Sequence, residues 1–368
     1  MLSLNDKIWA EKFFDKLEKK ISLSAIKFRD TIPYETLDGV YDDMVKKDVT
    51  WWTNGFFGGL MWLMYKATGK EEYRITAERQ EELLFPALGE FEKLVHDMGF
   101  MWGLTSLASY RITGNKKSRA TAFYAASYLA ARTNVRGKFI SAWNGAEKNY
   151  SIIDCLMNMP LLYWASEEIA DDRFKYVAMM QADMSIREHL REDGSVVHIC
   201  VHDENSERVT ETLAGQGYAV GSAWSRGQSW AMYGFLLSYR YTKEKRYLQA
   251  SRAACDYFVK EVEKSDFRVL TDFCQPKETG YVDNTAAVCA ACALIEISRI
   301  LGDEGYLCVA VKLLKRLEED CVFDNSSDGI LQNCMISYSD GRETHLVYGD
   351  FFLAEALIKL LDGEFSIW

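Results

Sequence analysis

The chain has 368 residues, 43 of them basic and 54 acidic, for a formal net charge of −11. That length can bury a large core, while a chain this acidic, without a basic run, is a poor partner for nucleic acid. Aromatic residues make up 13% of it, enough for a broad core or a ring-lined pocket, and only 4 prolines interrupt helix formation.

The opening MLSLNDKIWAEKFFDKLEKK is amphipathic and charged, lacks the apolar core and cleavage site of a signal peptide, and predicts a helix from about Asp6 to Ser22. The segment 55–84 then predicts an apolar helix, a turn at Thr68-Gly69-Lys70 and an amphipathic helix. Glycine suits such a turn, where a helix C-cap needs positive φ. The same plan repeats over 98–132 with a turn at Thr113-Gly114-Asn115, and over 155–190 with a turn near Ala170-Asp171-Asp172. The longest insertion, roughly 185–225, contains SVVHICV, which reads as a short strand, and DENSE, which reads as a turn. Two more hairpins follow, turning near Thr242-Lys243-Glu244 and Gly302-Asp303. The last helix, GDFFLAEALIKLL, has no partner after it, and the N-terminal helix can supply one by closing a circle.

One helix of each hairpin is apolar on most faces and therefore inner; its partner has a polar face and is outer. Six such hairpins predict an all-α fold, an (α/α)6 barrel or six-hairpin toroid, as one catalytic domain over 1–368, with short extended segments in the connecting loops. An open solenoid is the alternative, but its repeats are more regular than these. The chain lacks a run of 18 consecutive apolar residues, so no membrane span is expected. Nine cysteines is an odd number, and several sit in apolar helical patterns as small hydrophobes. Cys289 and Cys292 read as a helix face; no metal site is expected, and the cysteine usage predicts a reduced, cytoplasmic protein.

In such a barrel the N-termini of the inner helices share one rim, formed by the segments 49–59, 94–103, 149–160, 221–232, 280–288 and 345–352. Asp283 and Asp350 there read as caps or structural groups. Asp97 and Asp154 lie in nearly uncharged, apolar stretches, where desolvation raises a carboxyl toward the range of a general acid. Trp51, Trp52, Trp143 and Trp230 stand beside polar residues and could stack on sugar rings, although each alone reads equally as core. Arg226 and Gln228 open a helix where a guanidinium can grip a carboxylate. His198 and His202 fall in the insertion and read as readily as surface residues.

WWTNGFFGGLMWLMY, HDMGFMW, IIDCLMNMPLLYWA, GQGYAVGSAWSRGQSWAMYGF and YGDFFLAEAL occur in order from about 49 to 360. Together they resemble the family 88 glycoside hydrolases, the unsaturated glucuronyl hydrolases. The resemblance implies an (α/α)6 barrel acting on oligosaccharides left by polysaccharide lyases. It removes their terminal 4,5-unsaturated uronic acid by hydrating the double bond, with no metal or organic cofactor. It casts Asp154 as principal acid/base and Asp97 as its partner. His198, Gln216, Arg226 and Trp230 match positions that bind the unsaturated uronate, and Trp51 or Trp52, Asn54 and Trp143 line the same pocket. The segment between Trp143 and Asp154 is shortened relative to the family pattern. Ser337, Ser339 and Arg342 partly match a loop that holds sulfate in some members, which points to a sulfated glycosaminoglycan. The alternatives are an unsaturated rhamnogalacturonyl hydrolase of the related family 105, acting on pectin fragments, and a non-catalytic glycan-binding toroid. A sugar epimerase on a similar toroid would need paired rim histidines, and the chain has 5 histidines, none so arranged. The sequence selects neither monomer nor homo-oligomer.

Overall fold

The computed structural model describes residues 2–363 and 365–368. Six helical hairpins carry the fold. Helix α2 (Phe56–Thr68) pairs with α3 (Glu71–Leu84). A π-helical stretch, Gly99–Leu107, runs into α4 (Ala108–Thr113), which pairs with α5 (Lys116–Ala131). A 3-10 stretch, Ile153–Asn158, runs into α6 (Met159–Ile169), which pairs with α7 (Arg173–Glu188). Next come α8 (Ser225–Thr242) with α9 (Lys245–Glu263), and α10 (Asn284–Leu301) with α11 (Glu304–Glu318). The last, α12 (Val347–Leu361), packs against α2 and is backed by α1 (Leu4–Lys27), so the circle closes as predicted into an (α/α)6 barrel.

Hydropathy sorts the two layers. Along α8, α10 and α12 nearly every residue is buried, whereas α9 and α11 bury one stripe each. Helix α10 is long and apolar enough to cross a membrane by length and composition alone; here its length is mostly buried in the inner ring. Alanine and cysteine dominate it, and these small side chains let α8 and α12 approach on either side. Cys289 and Cys292 are buried on that helix, a packing face rather than a redox pair. Three hairpin turns use left-handed glycines, at 69, 114 and 302, while Ala170 and Lys243 take the same conformation in the other two.

The connections differ from expectation in one way that matters. The strand expected over SVVHICV covers only β2 (Ile199–His202); Val196 makes just an isolated bridge to Leu190. Strand β2 pairs antiparallel with β1 (Tyr150–Ile152) and β3 (Val209–Leu213), with β2 in the middle. Strand β1 was not foreseen, because its three residues carry no alternation of their own. It brings the insertion against the start of the third inner helix, and the Ile153 N–H donates to the His198 carbonyl at 3.1 Å.

Candidate active site

The inner-helix N-termini surround a cavity of about 380 Å³. Trp51, Trp52, Trp143, Gln216, Ile336 and Tyr348 form much of its wall, and Asp97, Asp154 and His96 open onto it.

Asp97 and Asp154 come from neighbouring inner segments, and Asn158 joins them. Its side-chain oxygen accepts from the Phe100 N–H at 2.8 Å, and its amide nitrogen donates to Asp97 Oδ1 at 3.4 Å. The two segments touch at Gly99, where an added Cβ would lie 2.5 Å from the Asn158 Cα. Only glycine fits there without moving backbone. Asp97 is buried and Asp154 largely shielded from solvent, and loss of hydration raises each to about 7. The Asn158 bond works against the rise at Asp97; the nearby Asp97 charge adds to it at Asp154.

A histidine faces each carboxyl. His96 Nδ1 lies 3.0 Å from the Ala142 carbonyl, which can only accept, so Nδ1 carries the proton and Nε2 turns a lone pair toward Asp97 Oδ1 at 3.3 Å. Burial lowers His96 to about 4, so at neutral pH the proton of this couple belongs to the carboxyl. His198 Nε2 stands 3.6 Å from Asp154 Oδ1, just beyond hydrogen-bond range. Its Nδ1 is 3.1 Å from both the Ala214 carbonyl and the Gln216 N–H. With the proton on Nδ1 it donates to Ala214 and shows Asp154 a lone pair. With the proton on Nε2 it accepts from Gln216 and shows Asp154 an N–H. Burial holds this ring neutral as well, at about 3. Among the described residues, His96 Nε2, His198 Nε2 and Asp154 Oδ1 are buried without a hydrogen-bond partner. Buried polar atoms are seldom left so. Two of them, His96 Nε2 and Asp154 Oδ1, belong to side chains lining the cavity, a place where a ligand can supply the missing contacts.

The remaining candidates divide. Trp51, Trp52, Trp143 and Gln216 line the cavity. Asn54 is buried behind it, donating to the Asp48 carbonyl at 3.0 Å, and supports the Trp51–Trp52 turn. Arg226 departs from expectation. Its guanidinium is buried, paired with Asp283 at 2.9 Å, and bonded to the carbonyls of Met335 and Ile336. It lies between the rings of Trp224 and Tyr348. In this geometry it holds the cavity wall at Ile336 rather than presenting a free fork to a carboxylate. Trp230 is also displaced from expectation: fully buried, it packs between Phe100 and Phe352 at centroid distances of 5.4 and 5.5 Å. It sits five residues into α8, and at about 1.5 Å per residue the helix carries it below the rim. Gln228 is structural too, donating to the Gly194 and Ala254 carbonyls. His202 turns away to share Ser151 with His189. Ser337 and Ser339 contact each other at 3.2 Å in an exposed loop, where Arg342 pairs with Glu35 at 2.8 Å and Asp340 at 3.5 Å. Asp283 caps α10 through the Thr285 N–H, and Asp350 accepts from the Ile330 and Leu331 N–H groups and the Tyr41 hydroxyl, so both serve the fold as expected.

His96, Asn158 and Tyr348 were not singled out by sequence. His96 carried a signal, directly preceding Asp97. Asn158 carried a weaker one, four residues after Asp154 on a helical segment.

The sequence model described as Glycosyl Hydrolase Family 88 matches residues 25–241. An unsaturated glucuronyl hydrolase from Bacillus sp. (strain GL1) is 32% identical, over 93% of this chain and 94% of the relative. An unsaturated chondroitin disaccharide hydrolase from Streptococcus pyogenes serotype M1 is 29% identical, over 95% and 90%. A crystal structure of the unsaturated glucuronyl hydrolase from Bacillus sp. GL1, responsible for the degradation of glycosaminoglycan, superposes with a TM-score of 0.90 at 29% identity, over 96% of this chain and 97% of that one.

Proposed function

This chain belongs to Glycosyl Hydrolase Family 88 and is a glycoside hydrolase of the unsaturated uronyl class; from that membership we propose that it removes the 4,5-unsaturated uronic acid from lyase-generated glycosaminoglycan oligosaccharides, with Asp154 as acid/base. One observation carries the assignment of roles. Asp154 Oδ1 and His96 Nε2 are buried and without hydrogen-bond partners, among the described residues, on side chains that line one ring-walled cavity.

Asp154, kept protonated near neutral pH by burial, delivers its proton to C4 of the unsaturated ring. Positive charge develops at C5, and water adds there. The Asp154 carboxylate left by the first step takes the proton of that water. The hemiketal at C5 then collapses, the ring opens and the next sugar departs. Asp97, itself raised to about 7 by burial, holds the Asn158 amide that joins the two segments. The Trp51, Trp52 and Trp143 rings offer apolar faces to the sugars.

Within this reading the disaccharide is unsulfated. A sulfate beside Ser337 and Ser339 would have to draw Arg342 from two carboxylates, Glu35 and Asp340. The relative named for chondroitin disaccharides supports the glycosaminoglycan class.

The reaction destroys the conjugated uronate, so its ultraviolet absorbance reports it directly. Chondroitin and hyaluronan lyase digests should lose that band with wild-type protein. No loss with any lyase product would remove the reading. Sulfated and unsulfated disaccharides compared in wild type and Arg342→Ala test the finer claim. A wild-type preference for the sulfated form that Arg342→Ala abolishes would overturn it.

A further inference from the structure

A second cleft, of about 530 Å³, opens beside the catalytic cavity, and Trp143 lines both. Their linings differ. Among the described residues the catalytic cavity sets Asp48, Asp97 and Asp154 against Lys93. The cleft sets Arg132, Arg136 and Lys148 against Glu204. In a chain of net charge −11, a cation-rich cleft is a local exception, and local charge governs which ligands a cleft attracts.

The cations are differently held. Arg132 is fixed by the Ser141 and Leu94 carbonyls and by Asn144, while its Nη2, among the described residues, is buried without a hydrogen-bond partner. Arg136 spends one nitrogen on Asn205 at 2.7 Å, and Lys148 meets Glu204 at 3.7 Å across an exposed pair of little strength. Both therefore keep donors for a ligand. Asparagine amides at 134 and 149 line the same cleft and suit sugar hydroxyls. At its rim Phe91 is 56% exposed, a large ring left facing solvent. Cations, amides and one exposed ring beside a shared tryptophan match an anionic sugar chain.

We propose that this cleft binds the third and later sugars of glycosaminoglycan fragments longer than a disaccharide, through their uronate or sulfate anions. The inference rests on the uronyl hydrolase reading above. It makes chain length a determinant of KM, with Arg136 and Lys148 as specificity residues remote from the reacting atoms.

The test compares an unsaturated chondroitin disaccharide and tetrasaccharide as substrates, in wild type and in the double variant Arg136→Ala/Lys148→Ala. Both positions are exposed, so folding should be preserved. In the double variant KM for the tetrasaccharide should rise about tenfold, the scale of losing two charge-assisted contacts, with disaccharide kinetics unchanged. The wild-type advantage of the tetrasaccharide should shrink with added salt. An unchanged tetrasaccharide KM, or an equal change on both substrates, would overturn the cleft. Inactivity of the wild type on both substrates would instead sink the hydrolase reading. Calorimetric binding of a saturated chondroitin tetrasaccharide, wild type against double variant, then still decides the cleft: equal affinity refutes it.

Discussion

Asp97 is buried and Asp154 nearly so, and both are raised to about 7, yet they are held differently. Asp97 Oδ1 has the His96 lone pair at 3.3 Å and the Asn158 amide at 3.4 Å. Asp154 Oδ1 has His198 at 3.6 Å and, among the described residues, no hydrogen bond. Burial raises both carboxyls but leaves them unequal freedom to move the proton. A tethered carboxyl organises its surroundings; an untethered one can hand its proton to a ligand and take one back. The contrast supports the acid/base role proposed for Asp154.

The largest expected effect breaks the contrast at its free end. Asp154→Asn should lower kcat by about 10³-fold with the fold intact, the middle of the range for removing a general acid/base. Steady-state kinetics with circular dichroism on the same sample checks it, and a near-wild-type kcat would end the assignment. Asp97→Asn should cost less, about 10²-fold, because it removes a partner rather than the carrier. If Asp97→Asn proved the more damaging, the two roles would have to be exchanged.

Gly99→Ala attacks the joint between the two. Its Cβ would meet the Asn158 backbone at 2.5 Å. Such overpacking costs about 1–3 kcal/mol. A shift of the two carboxyls relative to each other should also lower kcat by about tenfold or more. A variant that lost stability but kept kcat would show that the spacing of the segments does not matter to the chemistry.

The raised carboxyls also make a stability prediction. An aspartate whose folded value exceeds its unfolded value of about 3.9 binds more protons folded than unfolded. Its favourable contribution is therefore present at pH 4 and is lost as pH rises through about 7. Asp154→Asn cannot titrate, so relative to wild type it should gain melting temperature between pH 4 and pH 8. Thermal scans across that range would show parallel curves if burial did not raise the carboxyl. The activity of wild type should fall in the same window, as the acid form is lost. The smallest effect on chemistry is expected from Trp230→Phe. It should cost about 1–2 kcal/mol of stability by thinning the core below the cavity. KM for the disaccharide should stay unchanged; a raised KM would return Trp230 to the binding surface.

Fragments of local pattern made much of this legible. Helical periodicity over each hairpin, together with glycine at residues 69, 114 and 302, was enough for the barrel and for which helices lie inside. Asp97 and Asp154 stood out because an ionisable group in an apolar run is expensive to bury without a purpose. Depth and partnership were not legible. Trp230 occupies a motif that resembles a binding position, but five residues of helix rise carry it into the core. Arg226 looked free to grip a substrate; its partners are Asp283, 57 residues away, and the carbonyls of Met335 and Ile336, 109 and 110 residues away.

The sequence by itself thus determined the barrel, its layers and the two carboxyls, since these follow from periodicity and from burial, which neighbouring residues already specify. Only the tertiary structure decided which carboxyl is tethered, that each faces a histidine, and that a cation-rich cleft adjoins the cavity holding the two carboxyls. Those facts depend on strand β1 pairing with the distant β2, on Asn158 reaching across to the Asp97 segment, and on Trp143 standing between two cavities. Contacts between residues far apart in the chain leave no local pattern to read.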